Sequence, residues 1–529
     1  MKAVVSAGHE LTARAAVEML ELGGNAFDAA VSAVFASFVT EAVLTSPAGG
    51  GFFIAHRADS VGDSSINYYD FFTNVPGRGG VSGKKGGDFN FPSVFINFAN
   101  VRQELRIGEG SAAVPGVIAG LEKIYENFCT LPLEKLIAPA HRYATDGVLL
   151  NSWQAYFSAL LSPMLGATEE SLALFAPDGN FLKEGERFYN RDLARTLETF
   201  ASDGLGSFYT GFIAEKILEG FSKKGLITEE DLTNYRAVER RPLAVEYRGR
   251  RIYTNPPPSS GGPLIAFALK LLQSFDVGAM RQNSVESLKL LREVMRVTEL
   301  ARRAELDHKL HHETVEAEFL SSGNVENYLK MVKEGCPDVS ATGEPMIGNT
   351  TQISVIDELG NAAGMTTTTG IGSGVLIPGT GIMMNNMLGE EDVNPRGFHS
   401  GDPGARVTSM MAPTIVMKGE LPELVLGSGG SKRIRSAILQ VILNIVDHDM
   451  KIDEAVNSSR AHYDGEFFHV EEGMDSAVLT RLAGVVKDLN IWNEKNLYFG
   501  GAHTVRDEAG LLTGAGDKRR GGVSLKAEN

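Results

Sequence analysis

The 529-residue sequence predicts an α+β protein, and three observations carry that expectation. Apolar residues recur at helical spacing through much of the first 200 residues. From residue 350 onward, short β-branched runs are joined by glycine-containing turns. Two strong helical patterns, at 284–310 and 433–449, frame that β-rich stretch.

The elements follow in order. "ELTARAAVEMLELGGNAFDAAVSAVFASFVTEA" at 10–42 is helical but broken by Gly23-Gly24, and Asn25 can cap a second helix from about Ala26. "FFIAHRA" after Gly49, Gly50 and Gly51 reads as a strand. Residues 114–200 read as mostly helical, with Pro115 suited to a first helical turn. "AVEYRGRRIYTNPPPSSGG" at 244–262 is a strand or strand pair closed by a rigid proline turn. "TQISVIDE" and "NAAGMTTTT" flank a turn at Leu359-Gly360, which is a hairpin signal. "PTIVMKG" and "PELVLGSGG" form a similar pair, and no solenoid repeat is present.

Composition narrows the function. The chain is 43% hydrophobic, ample for a large core, and its 59 glycines lie in short runs that suit tight turns. A net charge of −16 with no long basic run argues against nucleic-acid binding and suits small-molecule chemistry. No apolar run reaches the ~18 residues of a membrane span, and the first 20 residues lack a signal-peptide pattern, so a cytoplasmic location is expected. Cys129 and Cys336 match no metal spacing and read as reduced thiols, although a bridge between them stays geometrically open.

The hairpin raises a chemical question. A turn at Leu359-Gly360 sets Thr350 opposite residue 368 or 369 and brings threonine hydroxyls together. Threonine pairs across strands are ordinary, and a threonine hydroxyl without a base is a poor nucleophile. Cleavage between Asn349 and Thr350 changes that. The new α-amine, with a pKa of about 7.7–8.0, is covalently placed beside its own hydroxyl as a general base. Such chemistry needs an oxyanion hole, and "LGSGGSKRI" at 426–434 offers consecutive amides before a helix.

These residues resemble the γ-glutamyltranspeptidases, N-terminal-nucleophile hydrolases made as one chain that cuts itself. "GGNAFDAAVSAVFASFVTEA", "GSAAVPGVIAGLE", "LITEEDLTNYRAVERRPLAVEYRG", "NPPPSSGG", "NTTQISVIDELGNAAGMTTT", "NNMLGEED", "SMMAPTIV" and "GSGGSKRI" stand in family order. The resemblance implies a four-layer αββα sandwich built from a large segment, 1–349, and a small one, 350–529. It implies Thr350 as the nucleophile and Thr368 as the threonine that hydrogen-bonds it. Gly430 and Ser431 match the oxyanion pair, with Gly429 as the competing assignment. No cofactor or metal is implied. The partners implied are a small amide, a water or amine acceptor, and the chain's own second fragment, with a dimer of such pairs left open.

The departures concern the substrate. Phe72 stands where the family carries an arginine for the glutamyl α-carboxylate, so an arginine at 72 is expected to restore γ-glutamyl turnover unless Arg78 replaces it. Met410 replaces a serine that shares that task and leaves Ser409. In the amine-binding block, Met387 departs from the usual acid or amide and Glu390 keeps a charge. Gly370 stands where an asparagine is usual, and the segment between "NNMLGEED" and "SMMAPT", 393–408, is short, which suggests an open cleft. Two readings follow: cleavage of a γ-glutamyl or related amide such as glutathione, or removal of a non-glutamyl acyl group, similar to cephalosporin acylases. His308 and His312 share a helical face but lack a third metal ligand, and Asp28 reads as structural.

Overall fold

A computed structural model describes residues 2–80, 89–98, 101–221, 223–335 and 348–528, with the Asn349–Thr350 peptide intact. In chain order the strands of its two large sheets begin with β1 (Ala3–Ala7), β2 (Gly50–His56), β3 (Ile66–Phe71), β4 (Val238–Glu239), β5 (Leu243–Tyr247) and β6 (Arg250–Thr254). They continue with β7 (Thr351–Asp357), β8 (Ala362–Thr368), β9 (Thr414–Lys418), β10 (Leu421–Gly429), β11 (Gly501–Glu508), β12 (Leu511–Ala515) and β13 (Val523–Ala527). One sheet has the order β13-β1-β7-β8-β2-β3-β4 and the other β12-β11-β10-β9-β6-β5.

Helices cover both outer faces. α1 (Glu10–Glu21), α2 (Ala26–Thr40), α3 (Val117–Phe128) and α4 (Leu133–Asp146) share one apolar core with the first sheet. α5 (Gly261–Leu272), α6 (Val285–Ala301) and α7 (Ile434–Val446) share another with the second sheet, and that core continues between the sheets. The period-two rule makes this possible. In β2, Phe53 and Ala55 face the first helical layer while Phe52 and Ile54 face the second sheet. The result is an αββα sandwich.

Local chemistry sets the boundaries. Asn25 caps α2 through the Phe27 and Asp28 amides, and Asp28 returns a bond to the Asn25 N–H, a complete capping box. Asp28 also accepts from the Thr130 and Leu131 amides, so its work is structural. The 114–200 stretch breaks into several helices, and α3 starts at Val117, leaving Pro115 just outside. The 284–310 pattern stays α-helical to Ala301 and then forms a π-helical turn at Arg302–Leu306. No helix among the described residues is long and apolar enough to cross a membrane. Cys129 is a free thiol raised in pKa by burial and by Asp28, and Cys336 lies outside the described residues.

Candidate active site

The β7–β8 hairpin is fixed by its turn. The Leu359 and Asn361 amides each donate to Asp357 Oδ1 at 3.0 Å. The register pairs Thr351 with Thr367 and Gln352 with Thr366, so continuing it sets Thr350 opposite Thr368. β8 pairs in turn with β2, where Thr368 meets Gly50. Ser354 donates to the His503 carbonyl of the second sheet at 2.9 Å, so the face of β7 that Thr350 shares lies between the sheets.

Around the Asn349–Thr350 bond the chain is closely held. Asn349 is fully buried and Thr350 is 6% exposed. The Thr368 hydroxyl donates to the Asn349 carbonyl and accepts the Gly370 N–H at 2.9 Å. The sequence expectation gave that hydroxyl to Thr350; here it holds the Asn349 carbonyl instead, because that carbonyl projects across the hairpin toward Thr368. Asn349 Nδ2 donates to the Val43 carbonyl at 3.4 Å, and Arg520 Nη2 donates to the Gly348 carbonyl at 3.1 Å. Burial, and then repulsion from Arg433, lowers the Arg520 pKa to about 9, still protonated at neutral pH.

The Gly429-Gly430-Ser431 turn lies against this segment. A Cβ on Gly348 would fall 2.5 Å from the Ser431 nitrogen. Gly430 has φ +127 and Ser431 has φ +52, the latter uncommon for a residue with a side chain. Ser431 donates its hydroxyl to Asp392, which also pairs with Lys432 Nζ at 2.9 Å. Asp392 therefore pins a strained turn at the place where an oxyanion hole is expected.

The residues expected to contact substrate are buried. Phe72 is 1% exposed and stacks on Phe52 with ring centroids 5.5 Å apart. Met387 and Met410 belong to the same inter-sheet core, and Ser260 Oγ contacts the Met410 sulfur at 3.0 Å. Ser409 Oγ accepts the Met411 N–H at 3.1 Å. Arg78 is taken up elsewhere, donating to the Gly404 carbonyl at 3.3 Å. Arg406 lies behind Phe72 but is committed to Asp70 at 3.2 Å and to the Tyr235 hydroxyl at 2.7 Å. Glu390 is buried, and its Oε1 has no hydrogen-bond partner among the described residues. Burial, then repulsion from Asp392, pushes its pKa up to about 8. At neutral pH this carboxyl is mostly uncharged, unlike the anion that the sequence suggested. Among the described residues no group of three or more His, Cys, Asp and Glu is placed to hold a metal ion.

A sequence model of the γ-glutamyltranspeptidase family matches residues 12–527. The chain belongs to the γ-glutamyltranspeptidase family. It is similar to the glutathione hydrolase proenzyme of Escherichia coli K12, 31% identical over 490 residues, covering 88% of this chain and 82% of that one. It is also similar to the acylase ACY 1 proenzyme of Pseudomonas sp. SE83, 29% identical and covering 91% and 86% of the two chains. A crystal structure of cephalosporin acylase from Bacillus halodurans superposes with a TM-score of 0.84 at 24% identity, covering 99% of this chain and 95% of that one, which shows the shared fold. The chain is thus an enzyme of the N-terminal-nucleophile hydrolase type.

Within that family, Gly370 has a local physical reason. A Cβ there would collide with Asn386 Oδ1 and fall 2.5 Å from Glu390 Oε1, so the space of an asparagine side chain is already filled. Three residues near the Asn349–Thr350 peptide were not found by sequence reasoning: Arg520, Asp392 and Glu41. Asp392 stands inside the "NNMLGEED" block and could have been weighed there. Glu41 likewise stands in the quoted block at 23–42, but nothing local ties it to Thr351 across 310 positions, and Arg520, 172 positions from Gly348, carries no local signal at all.

Proposed function

We propose that the chain cuts itself between Asn349 and Thr350, and that Thr350 then serves as the nucleophile of an amidohydrolase or acyltransferase. The observation that carries this reading is the Thr368 hydroxyl on the Asn349 carbonyl, which polarises the bond to be broken. In self-cleavage the Thr350 oxygen adds to the Asn349 carbonyl carbon. The C–N bond breaks, the nitrogen takes a proton, and an ester joins Asn349 to Thr350. Water opens the ester and leaves an Asn349 carboxylate, a free Thr350 hydroxyl and a free α-amine. Departure of Gly348 from the Ser431 amide would then uncover the turn for the oxyanion of a substrate.

In turnover the α-amine accepts the Thr350 hydroxyl proton as its oxygen attacks a substrate amide. The proton passes to the leaving amine, and an acyl ester forms on Thr350. Water or an acceptor amine releases the acyl group, and the two fragments remain together as a heterodimer. For the substrate we infer an amide of a γ-glutamyl or related acyl group with weak hold on an α-carboxylate. Arg78 and Arg406 are committed elsewhere, and the buried side chains of Phe72 and Met410 bring no charge to meet a carboxylate. Similarity to an acylase proenzyme keeps a non-glutamyl acyl group as the second reading.

The test is direct. Purified protein should separate into fragments of 349 and 180 residues (529 − 349), the smaller beginning Thr-Thr-Gln. Thr350→Ala should stay as one band. Thr368→Ala should slow cleavage by roughly 10–100-fold, the loss of about 1.5–3 kcal/mol in a hydrogen bond to developing charge. A small fragment with any other N-terminus would overturn the assignment of Thr350.

A further inference from the structure

Glu41 is the last helix-cap residue of α2, 4% exposed, inside the layer between α1, α2 and the first sheet. The C-terminal end of a helix disfavours a carboxylate, and burial disfavours it again. Both effects act here, and burial raises the Glu41 pKa. None of the ion pairs among the described residues includes Glu41. An apolar residue would serve such a layer better. What Glu41 provides instead is two short hydrogen bonds: Oε1 accepts from Thr12 Oγ1 at 2.8 Å and Oε2 from Thr351 Oγ1 at 2.7 Å. Thr12 is itself 2.7 Å from Thr40 Oγ1. The backbone makes room for this contact. A Cβ on Gly8 would collide with Glu41 Oε2 and fall 2.9 Å from Thr351 Oγ1.

Thr351 follows the proposed nucleophile and points to the opposite face of β7, alongside Ile353 and Val355. The β1 register runs only from Ala3–Asp357 to Ser6–Ser354, so residues 351–353 are paired on the β8 side alone. Cleavage would make Thr350 a free chain end on this half-held stretch, where strands fray. We propose that Glu41 is a positioning residue: by gripping the Thr351 hydroxyl it anchors the new N-terminus to α2 and keeps the Thr350 hydroxyl and amine aimed at the substrate. The proposal rests on the reading of Thr350 as the free nucleophile.

The variants are Thr351→Val, which removes the hydroxyl at nearly constant shape, Thr351→Ser, Glu41→Ala and Glu41→Gln. Hydrogen exchange of the cut protein reports strand order without any substrate. Protection at amides 351–353 should fall about 10-fold or more in Thr351→Val while amides 355–357 are unchanged. With glutaryl- and γ-glutamyl-p-nitroanilide as probes, kcat should fall about 10-fold with KM nearly constant. Thr351→Ser and Glu41→Gln should recover most of the loss, and Glu41→Ala with Thr351→Val should be no worse than either alone. Thr351→Val that keeps both its exchange protection and its kcat overturns the role of Glu41, whether or not Glu41→Ala folds. A wild-type chain that stays uncut defeats the reading of Thr350 instead, and the anchor falls with it.

Discussion

Arg520 donates from Nη2 to the carbonyl of Gly348 across 3.1 Å, so a guanidinium from just before β13 grips the residue preceding the Asn349–Thr350 pair. Among the described residues its Nε and Nη1 have no hydrogen-bond partner. A buried cation held by one hydrogen bond and the face of Phe157, 5.9 Å away, is costly unless that bond has work to do. Arg520→Ala should therefore slow self-cleavage by about 10–100-fold, and Arg520→Lys should recover only part, since an ammonium lacks the planar fork. The fraction of uncut chain with time on a denaturing gel measures this.

Asp392 holds the Ser431 hydroxyl and Lys432, and so the turn of positive φ values at Gly430 and Ser431. Burial alone would raise its pKa, yet Lys432, the Ser431 hydroxyl and Arg302 together keep it below the usual carboxylate value. That stability is present above the unfolded pKa and is lost as pH falls through the folded one. Asp392→Asn should lower kcat by about 10-fold with a smaller effect on KM, and should weaken the acid-side loss of stability. Steady-state kinetics and thermal melts from pH 3 to 7 would check both parts.

Glu390 runs the other way. Its pKa rises from an ordinary 4.5 to about 8, so the folded state keeps a proton that the unfolded chain releases. Its contribution is complete below the unfolded pKa and declines as pH climbs toward 8. Glu390→Gln should flatten that decline and melt higher than wild type at pH 8–9, conditions set to bracket the value near 8. For turnover, an α-ammonium would be better received once Glu390 ionises. The ratio of kcat/KM for γ-glutamyl over glutaryl anilide should rise with pH, a comparison in which the shared Thr350 amine cancels. A flat ratio would separate Glu390 from amine recognition.

Phe72→Arg looks, from sequence, like the restoration of a carboxylate clamp. The structure argues otherwise. The ring is 1% exposed and stacks on Phe52, and Arg406 already donates to the Phe72 carbonyl. The acid beside it, Asp70, is already paired with Arg240 and Arg406. The substitution should cost several kcal/mol, on the order of 3–5, and give little soluble protein, while Phe72→Leu should fold. A soluble Phe72→Arg protein with improved γ-glutamyl turnover would show that this wall can open.

The hairpin was legible because its signals are local: period-two alternation, Gly360 at the turn and an aspartate that ties two amides. The glycines of the 429–431 turn were legible for the same reason. What holds these pieces was not. Arg520 acts across 172 positions and Glu41 across 310, and no spacing rule joins such pairs. Phe72 misled because its place in a family pattern speaks of a pocket, while its burial depends on Phe52 across the sheet. The charge of Glu390 was beyond the sequence too, since burial sets it.

In the first sheet, β13, β7 and β8 come from beyond residue 350, whereas β1, β2, β3 and β4 come from before it. β1 lies between β13 and β7, so the two would-be chains are interlaced like the fingers of clasped hands. A cut before Thr350 severs a covalent bond but opens no seam. Neither piece could leave without tearing hydrogen-bond ladders on both sides of β1. The nicked protein should therefore migrate, melt and scatter as one body, and only a denaturant would reveal that it is two.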